Sequence, residues 1–172
     1  MANPLIERMQ EMPGRPETGR WLHLTAADPV SGAVELIETL DHGGRMNPPK
    51  AFPVAYFSAD TALGRIGFGR WIRGESNSDT RLTILVAEMQ LPKVLDLGDT
   101  AIRRRLGISL AALADPADMS LSQAIGAAAH RAGFLGVVYP RTQGHGDLNL
   151  AAFCDRTSSQ EISIVGAGRL GF

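Results

Sequence analysis

The sequence predicts an α+β fold in a single domain. Three observations carry this: apolar runs of strand length outnumber helical segments, the two kinds interleave irregularly, and neither an internal repeat nor a long linker divides the chain. Size agrees, since 172 residues, 44% apolar and 20% charged, suffice for one compact core.

The first 18 residues, with Pro4, Pro13 and Pro16 among charges of both signs, read as an N-terminal arm, which leaves 19–172 as the domain. Residues 21–25, Trp-Leu-His-Leu-Thr, read as the first strand. Residues 33–40 fit helix or strand equally. The run 53–58, with an adjacent Tyr and Phe, reads as a strand, and Asp60 is placed to cap a helix holding Ala62, Leu63 and Ile66. Residues 74–81 form a polar loop. The clearest strand is 82–91, and after Pro92 the run Val94-Leu95-Asp96-Leu97 resumes an extended path.

Asp99 then caps a helix that runs through Arg105 and stops near Gly107. The best helix starts at Ser120 or Ser122, carries Ile125, Ala128, Ala129 and Ala132 on one side, and ends at Gly133. Residues 137–140 read as strand, 141–147 as a Gly-rich loop, and 148–154 as a half-buried strand with alternating character.

Composition narrows the function. A formal net charge of -1 argues against nucleic acid as a direct partner, because phosphate-tracking proteins carry a clear basic excess. Cys154 is the single cysteine, so neither an intrachain disulfide nor a cysteine metal cluster can form. His42, His130 and His145 lack metal-ligand spacing, and no nucleophile-elbow motif accompanies any serine. No run of signal-peptide or membrane-spanning length occurs, so a cytoplasmic protein without membrane contact is the expectation. Arg103-Arg104-Arg105 near a helix end complements the helix dipole and reads as a solvated basic face.

The segment hardest to explain as scaffolding is Gly43-Gly44-Arg45-Met46-Asn47-Pro48-Pro49, followed by Val54-Ala55-Tyr56-Phe57-Ser58. Two glycines let the backbone approach a ligand closely and two prolines stiffen the exit, so an Arg and an Asn stand on a rigid loop. A guanidinium fork and an amide suit an anion or another amide.

These pieces occur in an order that resembles the RES family, bacterial toxins of toxin–antitoxin pairs and their relatives. The resemblance spans roughly residues 20–154. It rests on the Gly-Gly-Arg-x-Asn-Pro-Pro loop at 43–49, the Tyr strand at 54–58 and Thr-Ala-Leu at 61–63. Val-Leu-Asp-Leu at 94–97, the Ser-x-Ala region at 122–132, Ala-Gly-Phe-Leu-Gly-Val-Val-Tyr-Pro at 132–140 and Asn-Leu-x-x-Phe at 149–153 complete it.

The resemblance implies a mixed sheet with flanking helices like that of ADP-ribosyltransferases, NAD as the substrate, cleavage at the nicotinamide–ribose bond, and a cognate Xre-type antitoxin. It also implies that Arg45 serves the diphosphate, that Asn47 fixes the loop or a ribose hydroxyl, and that Tyr56 stacks on nicotinamide or donates its hydroxyl. His23 with Tyr56 looks like the first-strand His and Tyr of another branch of ADP-ribosyltransferases, while a core-lining His is the plain alternative. The family's acidic position falls on Arg65 by the Thr-Ala-Leu match, or on Gly67 by counting from Tyr56. The Ser expected after Tyr-Pro is Arg141, with Thr142 beside it as a nucleotide contact. Glu88 and Asp147 are substitute carboxylates in principle. Two classes of function follow: an enzyme that cleaves NAD, or an altered RES fold that binds a nucleotide or protein partner without turnover.

Overall fold

The structure, a computed structural model, describes residues 4–25, 40–59, 83–115, 117–141 and 147–169. In chain order these form α1 (Pro4–Gln10), β1 (Arg15–Thr25), β2 (Val54–Ala59), β3 (Thr83–Asp96), α2 (Thr100–Leu106) and α3 (Leu110–Ala114). α4 (Ser120–Arg131), β4 (Gly136–Pro140), β5 (Leu148–Phe153) and β6 (Ile162–Arg169) follow. The expectations for 33–39, for the helix after Asp60 and for the loop at 74–81 lie outside the described residues, as do Arg65, Gly67, Thr142 and His145.

The architecture is the expected α+β one. Six strands join in the order β1-β2-β5-β4-β3-β6, and β1 also pairs with β3, so the first five close into a ring. β3 and β4 run parallel and every other described pair is antiparallel.

A closed ring has an inside and an outside, and along β2, β4 and β5 both are covered. Trp21, Ala55, Phe57, Met89, Val138, Leu150 and Ala152 fill the interior. Val54, Leu95, Val137, Ala151 and Phe153 face outward onto α1 and the α2–α4 layer, together with Met9, Met46, Ile125 and Phe134. Consecutive residues of β2, β4 and β5 therefore alternate between two cores, whereas β3 alternates between the interior and water, with Met89 buried and Glu88 and Gln90 exposed. This corrects the half-buried reading of β5, whose residues 150–153 are all buried.

The arm expected at 1–18 takes a different form over its described part. Residues 4–10 are helical, β1 begins at Arg15, and Met9 and Met12 lie in the outer core. Prolines hid this, since each of Pro4 and Pro16 sits where a missing N–H does little harm. Pro4 opens α1, where the first amides have no helical partner. Pro16 faces Pro92 and Lys93 at a bulge, because Arg15 pairs with Val94 while Glu17 pairs with Leu91. The same bulge lets β3 run unbroken through Pro92, where the sequence suggests a break. Arg15 locks it, donating to Asp96 at 2.6 Å and Glu17 at 2.5 Å, and Glu17 accepts from the Trp21 indole at 3.2 Å.

The helices follow their caps. Asp99 accepts from the Ala101 amide, and Gly107 closes α2 in the left-handed region at φ 72°. α4 buries Ile125, Gly126, Ala128 and Ala129, as its periodicity requires. Its last turn holds His130, stacked on Phe52 at 4.2 Å and bonded to Asp155 at 2.8 Å. Besides α1, two elements have no counterpart in the sequence reading. α3 is five residues long, too short for periodicity to register, and β6 is recognisable as a strand only through its ladder with β3.

Candidate functional site

The loop at 43–49 sits between the outward face of β2 and helix α4. Gly43 takes φ 70°, and the Gly44 amide bonds to the Asn47 carbonyl at 2.9 Å, closing a tight turn. A Cβ on Gly44 would meet the Tyr56 ring at 2.6–2.8 Å, so the bare backbone lies directly against the aromatic face. On the other side the Gln123 amide donates to the Gly44 carbonyl at 3.0 Å, and Gly126 leaves room for the Met46 carbonyl. The two glycines of the motif thus admit a phenol and a turn.

Tyr56 is the centre of this arrangement. Its hydroxyl accepts from the Met46 amide at 2.8 Å and donates to Asn47 Oδ1 at 2.7 Å. Asn47 is fully buried, and its amide nitrogen donates to the Phe52 carbonyl at 3.1 Å. Burial raises the Tyr56 pKa well above the ordinary phenol value, against the smaller opposing effects of Met46, Asn47 and the Arg45 charge. A phenol so held is neutral and acts by hydrogen bonding, not as a base.

Arg45 lies near enough to Tyr56 to act on it electrostatically. One Arg45 nitrogen donates to the Leu113 carbonyl at 3.2 Å and the Asp115 carbonyl at 3.1 Å, which ties the loop to the end of α3. The same guanidinium acts electrostatically on both Tyr56 and Tyr139.

Tyr139 and its surroundings extend the site beyond the residues expected from the sequence. β5 sets Asn149 opposite both Ser58 and Tyr139. Ser58 donates to Asn149 Oδ1 at 3.2 Å, and the Asn149 side chain bonds to Tyr139. Burial again pushes the phenol up, followed by the neighbouring Tyr56, while Arg45 and Arg141 pull the other way. Two guanidiniums and two neutral phenols therefore share one face of β2, β5 and β4. The strand positions of the two tyrosines were legible; that they share a face depended on register.

His23 does not join them. Strand alternation turns it into the ring interior, where its imidazole packs on Phe57 with centroids 5.5 Å apart. It meets Tyr56 through the backbone, with Nδ1 at 2.7 Å from the Tyr56 carbonyl. A carbonyl only accepts, so Nδ1 carries a proton, and Nε2 is buried with no bond among the described residues. The side-chain pairing of His23 with Tyr56 expected from the resemblance is not formed; the two point to opposite faces. Of the substitute carboxylates, Glu88 is exposed on β3 between Arg20 and Ser163, and Asp147 contacts Arg141 through its backbone carbonyl.

Among the described residues no group of three or more His, Cys, Asp or Glu side chains is placed to hold a metal, and no described helix is long and apolar enough to cross a membrane. Burial pushes the Cys154 thiol up to about 11. At pH 8 that leaves on the order of one thiolate in a thousand, so maleimide should label Cys154 about a hundredfold more slowly than a free cysteine. Mass spectrometry of a labelling time course checks this, and labelling as fast as the free thiol contradicts it.

Comparison with known proteins places the geometry in context. The family model described as RES domain matches residues 12–170. Among solved structures, one from the crystal structure of the M. tuberculosis MbcT-MbcA toxin–antitoxin complex superposes with a TM-score of 0.80. It covers 98% of this chain and 93% of its own at 22% identity. No match was found among curated proteins. The shared fold includes the mixed sheet and flanking helices described above.

Proposed function

Because the chain belongs to the RES domain family, we propose that it is the toxin of a toxin–antitoxin pair and that it cleaves NAD at the nicotinamide–ribose bond. The observation that carries this reading is the face on which Arg45 and Arg141 lie beside Tyr56 and Tyr139. Guanidiniums suit a diphosphate, and a buried neutral phenol suits a flat, uncharged leaving group.

The reaction makes modest demands on proton transfer. When the glycosidic bond breaks, its electron pair returns to the pyridinium nitrogen, so nicotinamide leaves neutral and needs no proton. The ribose cation left behind is captured by water, which then releases a proton. What the site must supply is orientation and exclusion of stray water, tasks that rigid hydrogen-bonded phenols perform. The likeness to a toxin solved with its antitoxin supports an antitoxin as the partner; that it is Xre-type is what the family resemblance implies.

A second reading, a nucleotide-binding RES fold without turnover, is favoured by one observation: the Tyr56 hydroxyl and the Asn47 amide are engaged with each other and with the loop. The two readings separate by experiment. Incubated with NAD, the purified chain should release nicotinamide, measured by liquid chromatography, and Arg45→Ala should slow release by about a hundredfold or more. Saturable NAD binding by calorimetry without release selects the second reading. Neither binding nor release sinks both.

A further inference from the structure

A depression on the α2–α3 face lies outside the site described above. Thr100, Arg103, Arg104, Gly107, Ile108, Ser109 and Leu110 line it, and it measures about 420 Å³. Its floor is apolar, and Leu110 stands 47% exposed at its edge. Arg8 adds a third guanidinium, reaching the Leu106 carbonyl at 3.2 Å and coming within 3.7 Å of where a Gly107 Cβ would lie.

The three arginines do different things. Arg103 holds the Leu97 carbonyl at 2.5 Å and the Gly98 carbonyl at 2.9 Å, and Arg8 caps the end of α2. Arg104 is exposed and its guanidinium bonds to none of the described residues, and no lining residue is acidic. Asp99, next in sequence to the lining residue Thr100, uses its carboxylate on the Ala101 amide. A chain of net charge -1 thus gathers positive charge around an apolar hollow.

We propose that this face docks an acidic, amphipathic segment of a partner protein, with a leucine-like side chain in the hollow and a carboxylate on Arg104. The charge selects an anionic partner, and a bidentate carboxylate fits the planar guanidinium fork. The concavity selects a protruding side chain, which a flat bilayer surface does not offer. The apolar floor around Ile108 and Leu110 gives such an anchor a place to be buried. This inference stands apart from NAD cleavage, since none of its residues belongs to the Tyr56 and Tyr139 face.

The test uses a fluorescein-labelled peptide of Glu, Ala and Leu, about 16 residues and so about 24 Å as a helix, with leucines along one face. Anisotropy titration of the full chain should show saturable binding. Arg104→Glu and Leu110→Asp, both exposed positions, should each weaken it by about tenfold or more while the thermal midpoint stays that of the parent. The same peptide with Lys for Glu should bind at least about tenfold more weakly. Equal binding of the two peptides, or binding indifferent to both substitutions, overturns the proposal. So does an absence of peptide binding alongside attachment to phosphatidylglycerol vesicles that Arg104→Glu abolishes, which would assign the face to a membrane.

Discussion

Gly126→Ala is expected to lower the thermal midpoint of this protein by roughly 6–12 °C, a loss of about 3 kcal/mol. Glycine in the middle of a helix ordinarily costs about 1 kcal/mol relative to alanine, so propensity alone predicts the opposite sign. The tertiary contact decides it. A Cβ at 126 would lie 1.8 Å from the Met46 carbonyl oxygen and 2.7 Å from its carbon, both of them backbone atoms. Neither can retreat cheaply, because the Met46 amide is bonded to Tyr56 and the Gly44 carbonyl to Gln123. Thermal unfolding followed by circular dichroism checks this. A midpoint equal to or above the parent's would mean that the loop does not seat on α4 as described.

Tyr56→Phe carries the second largest effect, and it reads out twice. Removing the hydroxyl leaves the Met46 amide without its acceptor and the fully buried Asn47 without the donor to its Oδ1. Unsatisfied buried polar groups cost about 1–3 kcal/mol each, so urea unfolding should show a loss of about 2–3 kcal/mol. The pH dependence gives the second readout. Burial raises the phenol's folded pKa above its unfolded value near 10, so the hydroxyl's contribution is full below about pH 10 and is lost as pH rises toward the folded pKa. The parent's stability should therefore fall above that pH, and the Phe variant's should fall less steeply, with Tyr139 accounting for the remainder. Identical pH profiles for the two proteins would rule out a buried Tyr56 hydroxyl.

Much of the fold was legible because its signals are local. Asp99 and Gly107 bracket α2, and the apolar spacing of Ile125, Ala128 and Ala129 marks the buried side of α4. β2 and β4 show as short apolar runs for the same reason. The misses share a different cause. Met9 and Met12 were hidden in a proline-bearing segment whose burial comes from contact with the distant outer core, and Pro92 marked a break that the bulge opposite Pro16 removes. β6 is defined by its partner strand and not by its own residues.

The candidate site divides in the same way. The sequence by itself determined that Arg45 and Asn47 stand on a stiff loop of two glycines and two prolines just ahead of the strand that carries Tyr56, and the family resemblance implied their joint use. Only the tertiary structure decided what they do with that proximity. Register across β2, β5 and β4 brought Ser58, Asn149 and Tyr139 to the same face, and alternation on β1 sent His23 to the other side. Side-chain direction in a strand reverses with every residue, so a one-residue difference in pairing exchanges the faces; pairing is a property of strands far apart in the chain, which no local pattern encodes.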